Sequence, residues 1–213
     1  MDYLTKWPEA KPTKEATAAS TVDFVYEDII CWHGCLGIIQ TDRGTHFNNQ
    51  LLEKLLEKFK IEHLMSTPYH PQTNGLVKWF NRTLIEALSK AAAQHLDEWD
   101  KYVAPMLFSY RTSKHATTRL FPFFLVYGRE AKLPTDDTKI EEEPSLVHHL
   151  AQQLDELPIW RKETQIQIAY EQQKQKDRYD EKISLGTQFQ IGDLVLYYRA
   201  MLDKQWSHKL ELK

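Results

Sequence analysis

The side chains in this sequence that are best suited to chemistry stand on either side of a polar loop, residues 66–74. Asp42 follows the apolar run Leu36–Gln40, which has the length and character of a buried strand. A lone aspartate in that position is more often a turn former or a helix cap. The second set consists of Asn74 in the loop, then Lys78, Asn81 and Arg82 beyond it.

This second set is suited to phosphate groups, because lysine and arginine neutralise the phosphates of nucleic acids. Lys78 adds a positive charge to the helix that is predicted to follow the loop. The alternative is that Lys78 and Arg82 are ordinary solvated helix residues and that Asn81 is a polar flank. The histidines of the chain lack the spacing of a zinc site. Taken alone, the residues leave the phosphate-binding and the solvated interpretations open.

The elements that must position these side chains alternate between helix and strand. Apolar residues at three- and four-residue spacing predict helices, and short continuous apolar runs predict buried strands. Together they predict an α/β core over residues 1–134, in which Gly34 ends the first helix and Asn48 or Asn49 caps the second. The predicted helices are 15–30, 51–59, 76–93 and 97–113, the predicted strands are Leu36–Gln40 and Ile61–Met65, and Tyr3–Trp7 leans towards strand.

The remainder of the chain has a different composition. Residues 135–144 are acidic and polar and predict a solvated linker, and residues 145–186 predict a Gln-rich helical extension in which Pro158 marks a kink or boundary. Leu146, Leu150, Leu154 and Leu157 share one face, which fits a partner helix or packing against the core equally well. Residues 188–200 have strand propensity around a Gly-Asp turn, and the chain stops too soon afterwards to close a barrel.

The composition excludes several classes of protein. The chain has 213 residues with 42% hydrophobic and 27% charged content and a net charge of −3, which is typical of a globular protein without a strongly basic arm. No apolar run is long enough to cross a bilayer, and the N-terminus lacks the features of a secretory signal. Two cysteines, Cys31 and Cys35, predict half-buried free thiols in a reducing compartment.

Three stretches together identify a family: Thr41–Phe47 (TDRGTHF), Tyr69–Gly75 (YHPQTNG) and Asn81–Leu84 (NRTL). They resemble the catalytic core of retroviral and gypsy-type retrotransposon integrases, members of the ribonuclease-H-like superfamily. The resemblance covers residues 1–134 and implies a mixed sheet flanked by helices. Residues 187–213 look like the incomplete start of the small β-barrel that follows the core in gypsy-type enzymes. Three further motifs support the resemblance: Trp7–Ala10 (WPEA), Tyr110–Ser113 (YRTS) and Phe123–Gly128 (FFLVYG).

The resemblance implies metal-dependent phosphodiester transfer, with Mg²⁺ or Mn²⁺ held by three carboxylates. Asp42 matches the second of these, so it is the candidate catalytic and metal-binding residue. The position of the third, usually glutamate, holds Lys78, which is placed to pair with Asp42. The first aspartate is absent as well, because Asp2 matches the strand that follows the one bearing it. We therefore expect a core that lacks its first strand at the N-terminus, exposes the edge of Tyr3–Trp7, and is catalytically inactive.

For binding, the resemblance implies contact with DNA through Asn74, Lys78, Asn81 and Arg82, and allows a homo-oligomer. It implies neither a membrane nor a small-molecule cofactor, and it implies the nucleus only because the family must reach chromosomal DNA. The alternative function is a non-catalytic DNA-binding or protein-interaction module that a host has retained.

Overall fold

A computed structural model describes residues 1–66, 75–135, 146–184 and Gly192. Within these residues the structure combines several helices with a small parallel sheet, which confirms the predicted mixed α/β class. The chain divides into two compact units, Met1–Gln172 and Gln173–Lys213. None of the helices in the described ranges is both long and apolar enough to cross a membrane.

The sheet consists of two parallel strands in the described part, β1 (Ile38–Thr41) and β2 (Glu62–Met65). Their register aligns Ile38 with Glu62 and Thr41 with Met65, so both strands end at the same edge. The prediction that the first strand is buried is wrong for much of its length, since Ile38 is 54% exposed. Side chains alternate between the faces of a strand, and only the face that carries Ile39 and buried Thr41 turns towards the helices.

The first helical segment runs from Ala18 to His33 and changes its winding on the way. It comprises α1 (Ala18–Asp23), a π-helix (Phe24–Ile30) and α2 (Cys31–His33). It begins at a Thr17 capping box, and it ends at Gly34, whose φ of 84° favours glycine, as predicted. Cys31 and Cys35, which flank this end, are free but exposed rather than half-buried.

Helix α3 (Gln50–Lys58) covers the sheet and is capped as the sequence predicts. The Asn49 side chain accepts a hydrogen bond from the Leu52 backbone N–H at 3.0 Å. Leu52 and Leu56 are buried on the face that meets the first helical segment and the sheet. The buried members of this first core cluster are Val25, Ile30, Leu52, Leu56 and Ile61.

A second core cluster is built from α4 (Gly75–Ala91), a 3₁₀ helix (Leu96–Tyr102) and α5 (Val103–Arg111). The predicted helix over 97–113 is therefore two helices that join at Tyr102. Pro105 lies in the first turn of α5, where a missing N–H costs little. The buried members of this cluster are Phe80, Leu88, Val103 and Leu107.

The N-terminal segment forms a closed turn, so the prediction that Tyr3–Trp7 leans towards strand is wrong. One carboxylate oxygen of Asp2 accepts hydrogen bonds from both the backbone N–H and the hydroxyl of Thr5, each at 2.6 Å. The backbone of Asp2 also bonds to Lys6 and Trp7, and Lys6 adopts a left-handed φ of 60°. Side-chain-to-backbone bonding by an aspartate competes with the sheet ladder, and here it overrides the strand propensity. These backbone groups are paired, so they do not form the exposed strand edge that we expected.

Three motifs that support the family resemblance meet around this turn. The Arg111 guanidinium donates to the Pro8 carbonyl at 2.7 Å and to the Glu9 carboxylate at 2.7 Å, and it lies 4.3 Å from the centroid of the Trp7 ring. The other carboxylate oxygen of Glu9 bonds to the Trp7 indole N–H and to His33. Trp7 also packs edge-on against Tyr127. We call the set Trp7, Pro8, Glu9 and Arg111 the anchor.

Two helices complete the described fold, α6 (Pro122–Tyr127) and α7 (Leu146–Ser184). Of the predicted leucine face, the structure describes the side chain of Leu157, which is buried beside Gly128. Arg161 donates to the carbonyls of Leu125 and Val126 at 2.9 and 3.2 Å. Pro158 lies inside α7 and does not end it. Most of the predicted linker 135–144 and nearly all of the predicted barrel segment 187–213 lie outside the described residues.

The anchor predicts a large effect of Arg111→Met on stability. The change removes charge-assisted hydrogen bonds to Pro8 and Glu9 at a site where the Arg111 side chain is only 19% exposed. We expect a loss of about 2–3 kcal/mol in the free energy of unfolding, measured by urea denaturation. The control is Lys11→Met, which removes exposed ion pairs to Glu27 and Asp28 and should leave the midpoint nearly unchanged. Equal urea midpoints for the two variants would contradict the proposed contribution of the anchor to the free energy of unfolding.

Candidate nucleic-acid interface

Asp42 is exposed and directly follows β1 at the edge where both parallel strands end. One of its carboxylate oxygens accepts a hydrogen bond from the Gly44 backbone N–H at 2.9 Å. This is an aspartate-stabilised turn, as the turn-former alternative predicts. A Cβ atom on Gly44 would lie 2.5 Å from the His46 ring and 3.0 Å from the Asp42 carboxylate, so a larger residue there would displace the His46 side chain. The second oxygen of Asp42 has no partner among the described residues.

Buried hydrogen bonds hold the strand end that carries Asp42. The Thr41 hydroxyl donates to the Asp42 carbonyl at 2.9 Å, and it lies 2.8 Å from Nε2 of His63 on β2. Because the hydroxyl proton is given to the carbonyl, the His63 Nε2–H must be the donor in the second bond. On the exposed side, Arg43 Nε donates to the Ser66 carbonyl at 3.1 Å. The ends of β1 and β2 are therefore tied together on both sides of Asp42.

Lys78, Asn81 and Arg82 lie on α4 at spacings of three and four residues, so they share one face of the helix. All three are exposed. The first turn of α4 contains no acidic residue, and within the described ranges none of the three forms an ion pair. The positive end of the helix dipole lies at the same end as Lys78. The N-terminal half of this face is therefore electropositive and open to solvent, and the exposed Glu86 follows one turn after Arg82.

The structure does not join the two halves of the predicted site. Among the residues that are described, no hydrogen bond or ion pair links Asp42 to Lys78, Asn81 or Arg82, so the predicted Lys78–Asp42 pair is not formed. Asp42 follows a strand of the first core cluster, whereas α4 belongs to the second. Asn74, the remaining predicted residue, lies outside the described residues.

The described donors do not fit a divalent metal site. Mg²⁺ and Mn²⁺ need several converging oxygen ligands, yet no group of three histidine, cysteine, aspartate or glutamate side chains in the described part is placed to hold a metal ion. Asp42 contributes one carboxylate, half of which is engaged by Gly44. The carboxylate of Asp2 is likewise engaged, in the turn with Thr5.

Sequence reasoning missed His63 and the anchor. His63 lies in a predicted strand, and only the register of β1 against β2, which places it beside Thr41, reveals its hydrogen bond. For the anchor the sequence carries a signal, because WPEA and YRTS both belong to the motifs that support the resemblance. What the sequence does not give is the contact between them, across 103 residues.

Comparison with known proteins gives the relationship. No protein-family model matches the chain. The chain is 26% identical over 221 residues to the retrovirus-related Pol polyprotein from transposon 412 of Drosophila melanogaster, a match that covers 99% of the chain. It is 27% identical over 217 residues, 97% of the chain, to the Pol polyprotein of radiation murine leukemia virus (strain Kaplan). It is 32% identical over 135 residues, 62% of the chain, to the Gag-Pol polyprotein of walleye dermal sarcoma virus.

The chain is a homologue of retroviral and retrotransposon Pol polyproteins. The relationship predicted from the motifs is thus confirmed. This Pol homologue spans 17%, 35% and 8% of the length of the three polyproteins, in the order given. Among solved structures, the catalytic core domain of BIV integrase is similar, with 21% identity, a TM-score of 0.47, and coverage of 56% of this chain and 76% of that one.

In this Pol homologue the Thr41–His63 hydrogen bond predicts the effect of Thr41→Val. The variant keeps the shape of a side chain that is only 5% exposed but leaves the His63 N–H without an acceptor. We expect a loss of about 1–2 kcal/mol in the free energy of unfolding, measured by urea denaturation. Thr83→Val is the matched control, because the Thr83 hydroxyl donates to a backbone carbonyl on an exposed helix face. A control variant that is destabilised as much as Thr41→Val would show that the buried bond has no special weight.

Proposed function

We propose that this chain is an integrase-core homologue that contacts DNA through the α4 face and lacks the metal-dependent reaction of the family. The observation that carries the proposal is the grouping of Lys78, Asn81 and Arg82 on one exposed face without an acidic partner in the described part. The homology to Pol polyproteins and the integrase-like motifs support the assignment to the integrase core. DNA in the nucleus is then the expected partner, and a homo-oligomer the expected assembly.

The mode of DNA contact follows from charge. Two cationic side chains one turn apart suit successive phosphates of a nucleic-acid backbone, and backbone contacts position a protein without reading sequence. The net charge of −3 gives no long-range attraction to DNA. Binding should therefore be weak, tolerant of sequence and strongly dependent on salt. Asn74 and Asn81 are proposed to add hydrogen bonds to the same DNA end.

Catalysis is proposed to be absent because of the ligand set. Asp42 supplies one of the three carboxylates that the family needs. Lys78 occupies the position of another, where an ammonium group repels a divalent cation. The proposal concerns the chain as it is written, with Lys78 in place.

The absence of catalysis predicts no 3′ processing or strand transfer on a DNA-end substrate with Mg²⁺ or Mn²⁺. Lys78→Glu should restore little, because a second carboxylate alone does not complete the three-ligand set. The measurement is a gel assay of labelled oligonucleotide ends with the wild type, Lys78→Glu and Asp42→Ala. Robust wild-type turnover that disappears in Asp42→Ala would overturn the proposal.

The DNA interface predicts a change in the salt dependence of binding. Replacing both Lys78 and Arg82 by alanine should flatten the slope of log K against log salt by about 0.7–0.9 for each lost phosphate contact. The measurement is fluorescence anisotropy with a labelled duplex over a salt series.

The matched control for this experiment is the alanine double variant at Lys54 and Lys58. These residues lie exposed on α3 at the same four-residue spacing and carry the same charge. The control should weaken binding only slightly and keep the wild-type slope. If both double variants flatten the slope equally, general charge and not the α4 face determines the binding.

A further inference from the structure

His115 is a buried imidazole that contacts two helices and closes a loop. The residue is 9% exposed. Its ring meets Trp79 of α4 edge-on, with centroids 6.3 Å apart, and Tyr110 of α5 in the same manner at 6.1 Å. Its backbone N–H donates to the Leu120 carbonyl at 3.0 Å, and its carbonyl accepts from the Arg119 N–H at 2.8 Å. One side chain thus lies between the two helices at the start of loop 115–120.

The hydrogen bonding fixes the tautomer of this ring. Nδ1 accepts a hydrogen bond from the Thr117 backbone N–H at 3.2 Å, so the proton of the neutral imidazole lies on Nε2. Nε2 is buried without a hydrogen-bond partner, and so is the Tyr110 hydroxyl, as far as the described residues extend. A second proton would have to occupy Nδ1, where it would point at the Thr117 N–H. Protonation therefore replaces a hydrogen bond with a contact between two donors.

The charges around the ring also oppose protonation. The N-terminal segment contributes Lys6, which is 4% exposed and donates to the Tyr3 carbonyl at 2.6 Å. Burial and the Lys6 ammonium lower the pKa of His115, in that order. From α5, Tyr110 faces the ring as a neutral phenol, because burial raises its pKa to about 12. From α4, the facing residue is the uncharged Trp79. Burial lowers the pKa of Lys6, and the Asp2 carboxylate partly opposes this effect by raising it.

We propose that His115 is a pH-sensitive latch, which holds loop 115–120 and α5 against α4 when it is neutral and releases them when it is protonated. Because α4 carries Lys78, Asn81 and Arg82, release would loosen the face assigned to DNA. The latch itself rests on the packing of His115 and does not depend on whether that face binds DNA.

The sign of the pH effect follows from linkage. The folded pKa of His115 lies below the ordinary value of 6.5, so the unfolded chain binds the proton more readily than the folded chain. The stability that the neutral ring contributes is complete above pH 6.5. It decreases as the pH falls below 6.5 and is lost below the folded pKa.

The test compares the pH dependence of unfolding for the wild type and His115→Asn. Asparagine keeps a side-chain acceptor for the Thr117 N–H but does not titrate. Urea denaturation at pH 7.5, 6.5 and 5.5 should show a steeper loss of stability in the wild type. The slope of the unfolding free energy against pH should differ between the two proteins by the equivalent of at most about one proton taken up on unfolding. The control is His95→Asn, because His95 is exposed and its side chain caps no helix. It should keep the wild-type slope, and parallel curves for the wild type and His115→Asn would overturn the proposal.

A second measurement uses the wild type alone and holds even if His115→Asn fails to fold. Nitrogen NMR of the imidazole should show protonated Nε2 and bare Nδ1 in the neutral ring, with a titration midpoint below pH 6.5. From pH 6.5 to 5.5 the intrinsic rate of amide exchange falls, and release of the latch should make exchange in residues 75–91 and 115–120 slow down less than that, so that their protection factors decrease. A His115 ring that titrates at or above its ordinary pKa would overturn the latch. If the alanine double variant at Lys78 and Arg82 keeps the wild-type salt slope while the imidazole titration and amide exchange behave as expected, only the assignment of the DNA face is overturned.

Discussion

The described fold depends on the ion pair between Arg111 and Glu9, because it connects elements that otherwise belong to separate clusters. Arg111 ends α5, while Glu9 also bonds to His33 at the end of α2 and to the Trp7 indole. Trp7 in turn packs on α6. A partly buried guanidinium that loses its carboxylate leaves an uncompensated charge, which costs far more than an exposed ion pair. The neighbouring Pro8 is fully buried, so the N-terminal segment is held in place by packing as well as by the ion pair.

The sequence predicts most of the regular elements because their signals are local. Asn49 caps α3, Gly34 ends α2, and apolar spacing marks α4. The errors arise where tertiary contacts or side-chain bonding to the backbone compete with propensity. Asp2 converts a strand-like segment into a turn, and Ile38 is exposed because the helices cover the other face of the strand. The π-helix Phe24–Ile30 has no recognisable signal in the pattern of apolar residues.

The candidate site is only partly predictable for a related reason. Helical spacing suffices to place Lys78, Asn81 and Arg82 on one face, and the apolar run before Asp42 suffices to place it at a strand end. Neither pattern reports a distance between the two. His63 and His115 escape sequence reasoning because their roles come from a strand register and from a buried pocket. His115 has a further consequence for stability, since two buried polar atoms without described partners cost about 1–3 kcal/mol each. The fold tolerates that cost beside the helix that bears the basic face.

The anchor also determines when the molecule can fold during its synthesis. Pro8 and Arg111 are 103 residues apart, so at about 5–20 residues per second the ribosome makes the first partner roughly 5–20 s before the second. Throughout that interval Trp7 lacks the Arg111 guanidinium and the Tyr127 ring, and only the earlier part of its surroundings, His33, is available. The early chain therefore leaves the Trp7 ring partly uncovered and the Glu9 carboxylate without its guanidinium partner. Contacts between residues far apart in sequence are slow to form, and this one joins the N-terminal segment to the end of α5. The N-terminal segment can therefore reach its final packing only after α5 has emerged from the ribosome.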